Sequence, residues 1–263
     1  MNEQAGPLFH LTEKVVVLTG ASSGLGRRFA RVLHGVGANL VIAARRADRL
    51  EELAAELTGD NPSAGRVATV AIDVTGPDAA GQLVAAAVSD FGGVDVVVNN
   101  AGISRVLPAV DDTRSGFSDE LSINLIAPYE IGRAAARWMI ENDRPGSIVN
   151  VGSVMGLVGG GRLRAAGYSA SKGGLHSLTR ELASQWARKR IRVNALAPGW
   201  FASEMTDEMF DSDAGRGYIE ANTPMGRPGQ PHELDGALLF LASDASTYVT
   251  GQVLAVDGGW TAI

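Results

Sequence analysis

The sequence contains no cysteine among its 263 residues. Disulfide bonds, thiol catalysis and cysteine-ligated zinc sites are therefore excluded. Histidines are few, and none has the spacing of a His-Glu-x-x-His zinc site. They are His10, His34, His176 and His232. We therefore predict no metal site.

Long apolar runs and basic tracts are also missing. No apolar run approaches the roughly 20 residues that cross a bilayer, and residues 1–10 lack the basic start and apolar centre of a signal peptide. The net charge of −6 argues against a nucleic acid as the main partner. We therefore expect a cytoplasmic protein with a small-molecule substrate, and neither a membrane nor a nucleic acid as partner.

Glycine, by contrast, is abundant, with 33 residues, and many glycines stand where an apolar run gives way to a helical pattern. Alternating strands and helices predict an α/β fold with a doubly wound parallel sheet, which is Rossmann-like. No repeat or linker divides the chain, so we predict one dinucleotide-binding and catalytic domain over residues 1–263. The predicted strands are 14–19, 39–44, 66–72, 94–98, 147–151, 191–197 and 252–256.

The stretch 200–224 has no clear periodicity, and we predict an irregular segment there. Its bulky apolar residues could form a flap over a substrate, but packing into the core is an equally good explanation. They are Trp200, Phe201, Met205, Met209 and Phe210.

The first predicted strand leads directly into a glycine-rich turn and then a helix. Such a turn lets backbone N–H groups approach a pyrophosphate at the helix N-terminus. The spacing is Gly-x-x-x-Gly-x-Gly and no Gly-Lys-Ser/Thr follows, so a P-loop is excluded. A plain turn with glycines for backbone geometry is the alternative, but we favour dinucleotide binding. The predicted cofactor-binding residues here are Gly20, Ser22, Ser23, Gly24, Leu25 and Gly26.

The second strand ends at Ala44, and Arg45 and Arg46 follow it. An NAD-preferring site usually has an acidic residue here, which binds the ribose 2′-hydroxyl. Ala44 cannot do so, whereas Arg45 can bind a 2′-phosphate through a charge-assisted bond of about 1.5–3 kcal/mol. Two solvated arginines are the alternative interpretation. We predict NADP(H) as the preferred cofactor of a site that also admits NAD(H), with both arginines at that site.

Polar residues also follow the third and fourth strands. Asp73 and Val74 come after the third strand, and Asn100, Ala101 and Gly102 after the fourth. The carboxyl ends of parallel strands share one edge of the sheet, where ligands bind in this architecture. We therefore expect these five residues to line the cofactor site, with the Asp73 side chain reaching the adenine amino group.

Tyr168 and Lys172 stand four residues apart in a helical pattern, so the phenol and the ammonium share one helix face. A free tyrosine has a pKa of about 10, and a nearby ammonium favours the phenolate. Such a pair could act as a general acid for a ketone or as a base for an alcohol. Two ordinary surface residues are the alternative.

Together these residues resemble the short-chain dehydrogenase/reductase family, in its single-domain form. The resemblance spans nearly the whole chain, in the family's order. The matching segments are Thr19-Gly-Ala-Ser-Ser-Gly-Leu-Gly26, Asn99-Asn-Ala-Gly102, Asn124, Ser153, Tyr168-x-x-x-Lys172, Pro198-Gly199 and Gly251-Gln-Val-Leu-Ala-Val-Asp-Gly-Gly259.

The resemblance implies an oxidoreductase that interconverts a secondary alcohol and a ketone, such as a 3-oxoacyl thioester, a sugar or polyol, or a cyclic ketone. It implies that Tyr168 exchanges a proton with the substrate oxygen, and that Lys172 lowers the pKa of Tyr168 and holds the nicotinamide ribose. Ser153 would hydrogen-bond the carbonyl oxygen. Asn124, on a long helix predicted over 111–142 with a possible kink at Pro128, would position a water.

The resemblance also implies that Pro198, Gly199, Phe201 and Ser203 complete the cofactor site, and that the protein is a homotetramer or homodimer. Ser203 stands where threonine is frequent in the family. Ser153 lies fifteen residues before Tyr168, where thirteen is commoner, so the loop between them is enlarged.

Two other functions remain alternatives. A dinucleotide-sensing protein without turnover would not need the four catalytic residues, and a methyltransferase on a similar sheet would have an acidic residue at the second strand's end. A separate hypothesis concerns Arg162 and Arg164, in the glycine-rich loop 156–167, which could attract an anionic substrate. Two solvated loop arginines are the simpler interpretation.

Overall fold

The computed structural model describes residues 6–60, 65–161 and 163–263, and its centre is one parallel sheet. The strands are β1 (Val15–Thr19), β2 (Asn39–Ala44), β3 (Val67–Ala71), β4 (Val96–Asn99), β5 (Gly146–Val151), β6 (Ile191–Pro198) and β7 (Val253–Val256). They lie in the order β3-β2-β1-β4-β5-β6-β7, and every pairing between them is parallel. The predicted Rossmann-like fold is confirmed, with strand bounds that differ from the predicted ones by at most two residues.

Helices cover both faces of this sheet. The described residues form α1 (Gly24–Gly35), α2 (Ala47–Asp60), α3 (Ala79–Phe91), α4 (Arg114–Leu121), α5 (Ala127–Glu141), α6 (Ala166–Trp186), α7 (Asp207–Asp211), α8 (Asp213–Asn222) and α9 (Asp235–Ala242). Strand β1 supplies Val16 and Leu18 to the core under α1, α2 and α9, and Val15 and Val17 to the core under α3, α5 and α6. Because both faces are buried, the strand sequences are continuously apolar.

The strand order reverses between β1 and β4, and the segments that follow these two strands are bonded together. The Thr19 hydroxyl accepts hydrogen bonds from the backbone N–H of Asn100 and Ala101, both at 3.1 Å. The Asn100 side chain donates to the carbonyls of Thr19 and Gly20, at 3.1 and 3.2 Å. In an open parallel sheet this reversal makes a crevice outside the carboxyl ends of the strands.

The long helix predicted over 111–142 is wrong in its start and its continuity. Helix α4 begins at Arg114, where Thr113 accepts a capping hydrogen bond of 3.0 Å from the Gly116 N–H. A π-helical turn, Ser122–Ile126, then separates α4 from α5. Pro128 has no N–H for the carbonyl of Asn124, four residues earlier, and its ring would collide with that carbonyl in an α-helix. The π-helical turn accommodates the proline.

The segment 200–224 is also more regular than predicted, since it contains α7 and α8. The Ser212 hydroxyl accepts a hydrogen bond of 3.1 Å from the Gly215 N–H and so caps α8. These helices are short, with five and ten residues, so their apolar residues show too few repeats to reveal a helical period.

Two features are absent from the described part of the chain: a membrane-spanning helix and a cluster of metal-binding side chains. Within residues 6–60, 65–161 and 163–263, no helix is both long and apolar enough to cross a membrane. In the same ranges, no three histidine, aspartate or glutamate side chains gather as they would around a metal ion.

Gly26 is tightly packed against the first turn, so a substitution at this position tests the fold. A methyl group at Gly26 would collide with the carbonyl oxygen of Gly20 and would lie 2.6 Å from the Asn100 side-chain nitrogen. Gly26→Ala should therefore lower the free energy of unfolding by about 1–3 kcal/mol, as overpacking does. Urea denaturation followed by circular dichroism measures this change.

Gly35→Ala is the matched control in the same helix, because a methyl group there has nothing within 4 Å. It should leave stability unchanged or raise it by up to about 1 kcal/mol, since alanine is the better helix former. Equal effects of the two substitutions would contradict the packing described for Gly26.

Candidate active site

A cavity of about 530 Å³ lies at the carboxyl edge of the sheet. All of the residues predicted to bind the cofactor line it, and so does Ser153, whereas Asn124 lies outside its lining. Several other lining residues were not predicted as cofactor contacts; they follow the same strands, belong to the segment after β6 or, for Ile123, lie in the π-helical turn. Among them are Ile72, Ile103, Ser104, Ile123, Glu204, Met205 and Thr206.

One end of the cavity is the N-terminus of α1. Ser23 stands at the N-cap, but its side chain makes no capping hydrogen bond, and the first turn of the helix has no acidic residue. The first backbone N–H groups of the helix are thus not capped by this side chain, and the helix dipole favours a negative charge there. Gly20, with a φ of +69°, brings the turn against Ala101, where a methyl group would lie 2.8 Å from the Ala101 Cα. This end of the cavity suits a phosphate or pyrophosphate group.

The two arginines after β2 differ in their contacts. The Arg46 guanidinium donates to the hydroxyls of Ser22 and Ser23, at 3.0 and 2.9 Å, and to a carboxylate oxygen of Glu204 at 3.1 Å. Arg45 lines the cavity and contributes a small electrostatic lowering of the Asp73 pKa. Glu204 was not predictable from the sequence, because its partner Arg46 is 158 residues away.

Asp73 lines the cavity at the end of β3, but one of its carboxylate oxygens is already bonded. That oxygen accepts hydrogen bonds from the N–H and the hydroxyl of Thr75, at 2.9 and 2.7 Å. These bonds hold the pKa of Asp73 below its usual value. The carboxylate is therefore ionised at neutral pH, and its contact with adenine stays a prediction.

At the other end of the cavity lie Ser153, Tyr168 and Lys172. Tyr168 is in the first turn of α6 and Lys172 follows one turn later, so the helix places both side chains on its inner face. The Lys172 ammonium lies 5.6 Å from the centre of the Tyr168 ring and donates a 2.7 Å hydrogen bond to the carbonyl of Val151. Burial lowers the pKa of Lys172 to about 8.

The pKa of Tyr168 is raised overall, so the net shift is opposite in direction to the one expected beside Lys172. Burial is the main cause, and the charge of Glu120 adds to it, whereas the neighbouring Ser153 side chain acts in the opposite direction. Loss of hydration at the phenol outweighs the opposing effect of Ser153, and the Lys172 ammonium is bonded to the Val151 carbonyl. The phenol is therefore protonated at neutral pH.

Asn124, which is fully buried, ties the loop after β4 to α6. Its side-chain oxygen accepts from the N–H of Ile103 at 2.9 Å, and its side-chain nitrogen donates to the carbonyl of Ile103 at 2.9 Å and to the hydroxyl of Ser171 at 3.0 Å. Both N–H bonds of the side-chain amide are used, and its oxygen keeps one lone pair, so the water that Asn124 would position stays a prediction.

Glu120 is a buried carboxylate that was not predicted from the sequence. One of its oxygens accepts a 2.8 Å hydrogen bond from the N–H of Arg105, and the side chain lies against Gly167, beside Tyr168. Burial raises its pKa. Nothing in the sequence distinguishes it from an exposed helical glutamate.

The segment after β6 lies over the first turn. A methyl group at Gly24 would lie 3.2 Å from the Ser203 Cβ. Phe201 is buried in the core and also lines the cavity. Trp200 packs edge-on against Trp260, with ring centres 5.8 Å apart. Whether residues 200–224 cover a substrate stays a prediction.

The loop 156–167 is joined to the segment after β4 by a 2.7 Å hydrogen bond from the Leu107 N–H to the Arg164 carbonyl. The Arg164 side chain is exposed. Arg162 lies outside the described residues, so the hypothesis that the two arginines attract an anionic substrate stays a hypothesis.

Comparisons with known proteins cover nearly the whole chain. The family model described as enoyl-(acyl carrier protein) reductase matches residues 20–261. The gluconate 5-dehydrogenase of Gluconobacter oxydans is 40% identical over 254 residues, which are 97% of each chain.

Two solved structures are similar throughout. A short-chain type dehydrogenase/reductase from Mycobacterium marinum has a TM-score of 0.93 at 33% identity, covering 99% of this chain and 100% of that one. A gluconate 5-dehydrogenase from Burkholderia cenocepacia, in complex with NADP and tartrate, has a TM-score of 0.91 at 35% identity, with the same coverage.

Proposed function

The chain belongs to the short-chain dehydrogenase/reductase family, and on that premise we propose that it uses NADP(H) to interconvert a secondary alcohol and a ketone of the sugar or sugar-acid class. Its membership makes it an NAD(P)-dependent oxidoreductase, not a cofactor sensor or a methyltransferase. One observation carries the proposal. Ser153, Tyr168 and Lys172 lie together at one end of a cavity, and the other end of that cavity is a helix N-terminus without a side-chain cap.

Tyr168 is the proton donor in this proposal. Its raised pKa keeps the phenol protonated at neutral pH, so it can give a proton to the oxygen of a ketone. The Ser153 hydroxyl, beside the phenol, orients the same oxygen by a hydrogen bond. When bound, the nicotinamide supplies the hydride for reduction or accepts it in oxidation.

Lys172 has two tasks. An ammonium has three N–H donors, and the bond to Val151 uses one of them, which leaves donors for the ribose hydroxyls of the cofactor. With a pKa of about 8, the amine is mostly charged at neutral pH. Its charge, 5.6 Å from the Tyr168 ring, stabilises the phenolate that remains once the proton has left.

The preference for NADP(H) is supported by charge at the end of β2. Ala44 cannot accept a hydrogen bond from a ribose 2′-hydroxyl through its side chain, while Arg45 and Arg46 line the cavity. The similar enzyme from Burkholderia cenocepacia holds NADP. The N-terminus of α1 would hold the pyrophosphate.

The substrate class is supported by the relatives. Similar proteins from Gluconobacter oxydans and Burkholderia cenocepacia are gluconate 5-dehydrogenases, and the second has tartrate bound. Of the three classes considered from the sequence, the sugar or polyol class fits these names best. The cytoplasmic location and the homotetramer or homodimer stay predictions.

Replacing the proposed proton donor tests the mechanism. Tyr168→Phe should lower kcat for ketone reduction by about 10²–10⁴-fold, because general acid catalysis contributes that much. Cofactor affinity should change by less than about threefold, since the ring stays in place. NADPH oxidation should be followed across a panel that includes keto sugar acids. Tyr129→Phe, a more exposed position on α5, is the control; retained turnover in Tyr168→Phe would rule out the assigned role.

The two directions should respond oppositely to pH. Alcohol oxidation needs the phenolate of Tyr168, whose pKa is raised, so kcat/KM for oxidation should increase as the pH rises above neutral. Ketone reduction needs the phenol, so it should be retained at neutral pH and decline at high pH. Profiles measured in both directions, with cofactor saturating, check this. An oxidation rate that falls between about pH 7 and pH 9 would contradict it.

Cofactor preference is directly measurable. NADPH should give a kcat/KM at least about tenfold above that with NADH, because one charge-assisted hydrogen bond is worth about 1.5–3 kcal/mol. Initial rates with both cofactors and one ketone suffice. An equal or higher value for NADH would overturn the proposed preference.

A further inference from the structure

The carboxylate of Glu204 is held by two guanidinium groups at the edge of the cofactor cavity. Arg49 donates to one of its oxygens at 2.6 Å and Arg46 to the other at 3.1 Å. Both arginines come from the residues that follow β2, whereas Glu204 is in the segment after β6. The two arginines hold the pKa of Glu204 down to about 2, so the carboxylate is charged at neutral pH.

Arg46 joins three parts of the cavity wall. Besides Glu204, its guanidinium bonds to the hydroxyls of Ser22 and Ser23 in the first turn, at 3.0 and 2.9 Å. A phosphate on the ribose 2′-oxygen would compete for these N–H donors, because a guanidinium has only five and is most strongly attracted to an anion.

We propose that Glu204 determines cofactor specificity in this enzyme by competing with the 2′-phosphate of NADP(H) for Arg46. The proposal rests on the function proposed above. A phosphate monoester carries a charge of about −1.5 to −2, so a carboxylate on the same guanidinium repels it. NADH has a hydroxyl in that place, which is neutral and can donate a hydrogen bond to a carboxylate. Glu204 thus weakens NADP(H) binding and does not weaken NAD(H) binding.

The backbone that carries Glu204 is held independently of its carboxylate. The Thr206 hydroxyl donates to the Phe201 carbonyl at 2.8 Å and accepts from the Ser203 N–H at 3.0 Å, and Phe201 is buried. The Glu204 side chain is half exposed, and ion pairs of that kind contribute little to stability. Glu204→Gln should therefore fold like the parent protein, with its effect confined to binding.

Direct binding of each cofactor to the full-length protein, without substrate, tests the proposal. Fluorescence titration or calorimetry should show that Glu204→Gln binds NADPH about three- to tenfold more tightly than the parent, with NADH affinity unchanged or slightly weaker. Glu208→Gln is the matched control. It removes the same charge four residues further along, at an exposed position that makes no ion pair with the described residues. It should change neither affinity by more than about twofold.

A double-mutant cycle identifies the route of the effect. In an Arg46→Ala background, Glu204→Gln should raise the ratio of NADPH to NADH affinity much less than in the parent, because the shared guanidinium is gone and only the repulsion between the two anions remains. The proposal is overturned if Glu204→Gln fails to raise that ratio in the parent, if Glu208→Gln raises it equally, or if the effect is as large without Arg46. If instead the proposed NADP(H) preference is wrong, the parent protein would bind NADH more tightly than NADPH. Glu204→Gln would still shift the ratio of the two affinities towards NADPH.

Discussion

The hydrogen bond from the Lys172 ammonium to the Val151 carbonyl joins α6 to the end of β5, near the middle of the sheet. It fixes the helix that carries Tyr168 against the strand after which Ser153 comes. A buried cation is costly, and burial lowers the pKa of Lys172 for this reason. The ammonium anchors the helix through this bond, and in the proposed function its charge also stabilises the phenolate of Tyr168.

The sheet places the remaining groups by topology alone. Since all seven strands are parallel, every segment after a strand reaches the same edge, and the reversal of order between β1 and β4 opens the cavity there. The bonds between Thr19 and the segment after β4 close this crevice at its base. Residues that are far apart in sequence, such as Arg46 and Glu204, can meet only because of this arrangement.

The sequence was enough to predict the strands, because burial on both faces makes each a continuous apolar run, as in Val15–Thr19. Cavity-lining residues such as Arg45, Asp73 and Asn100 were predictable for the same reason, since they follow those strands. The contacts of Glu120 and Glu204 were not, because their partners depend on tertiary packing. Nor was the direction of the Tyr168 pKa, which depends on burial that helical spacing alone does not reveal.

Because of the π-helical turn before α5, the number of residues in this region is more constrained than the type of residue at each position. Each residue of an α-helix advances the chain by about 100°. Deleting one residue between Thr113 and Pro128 would remove the extra residue of the π-helical turn. It would bring the Pro128 ring against the carbonyl four residues before it and rotate everything before the deletion by that angle. Asn124 would then lose its bonds to Ile103 and Ser171. Homologous chains should therefore vary in composition here while keeping the same length.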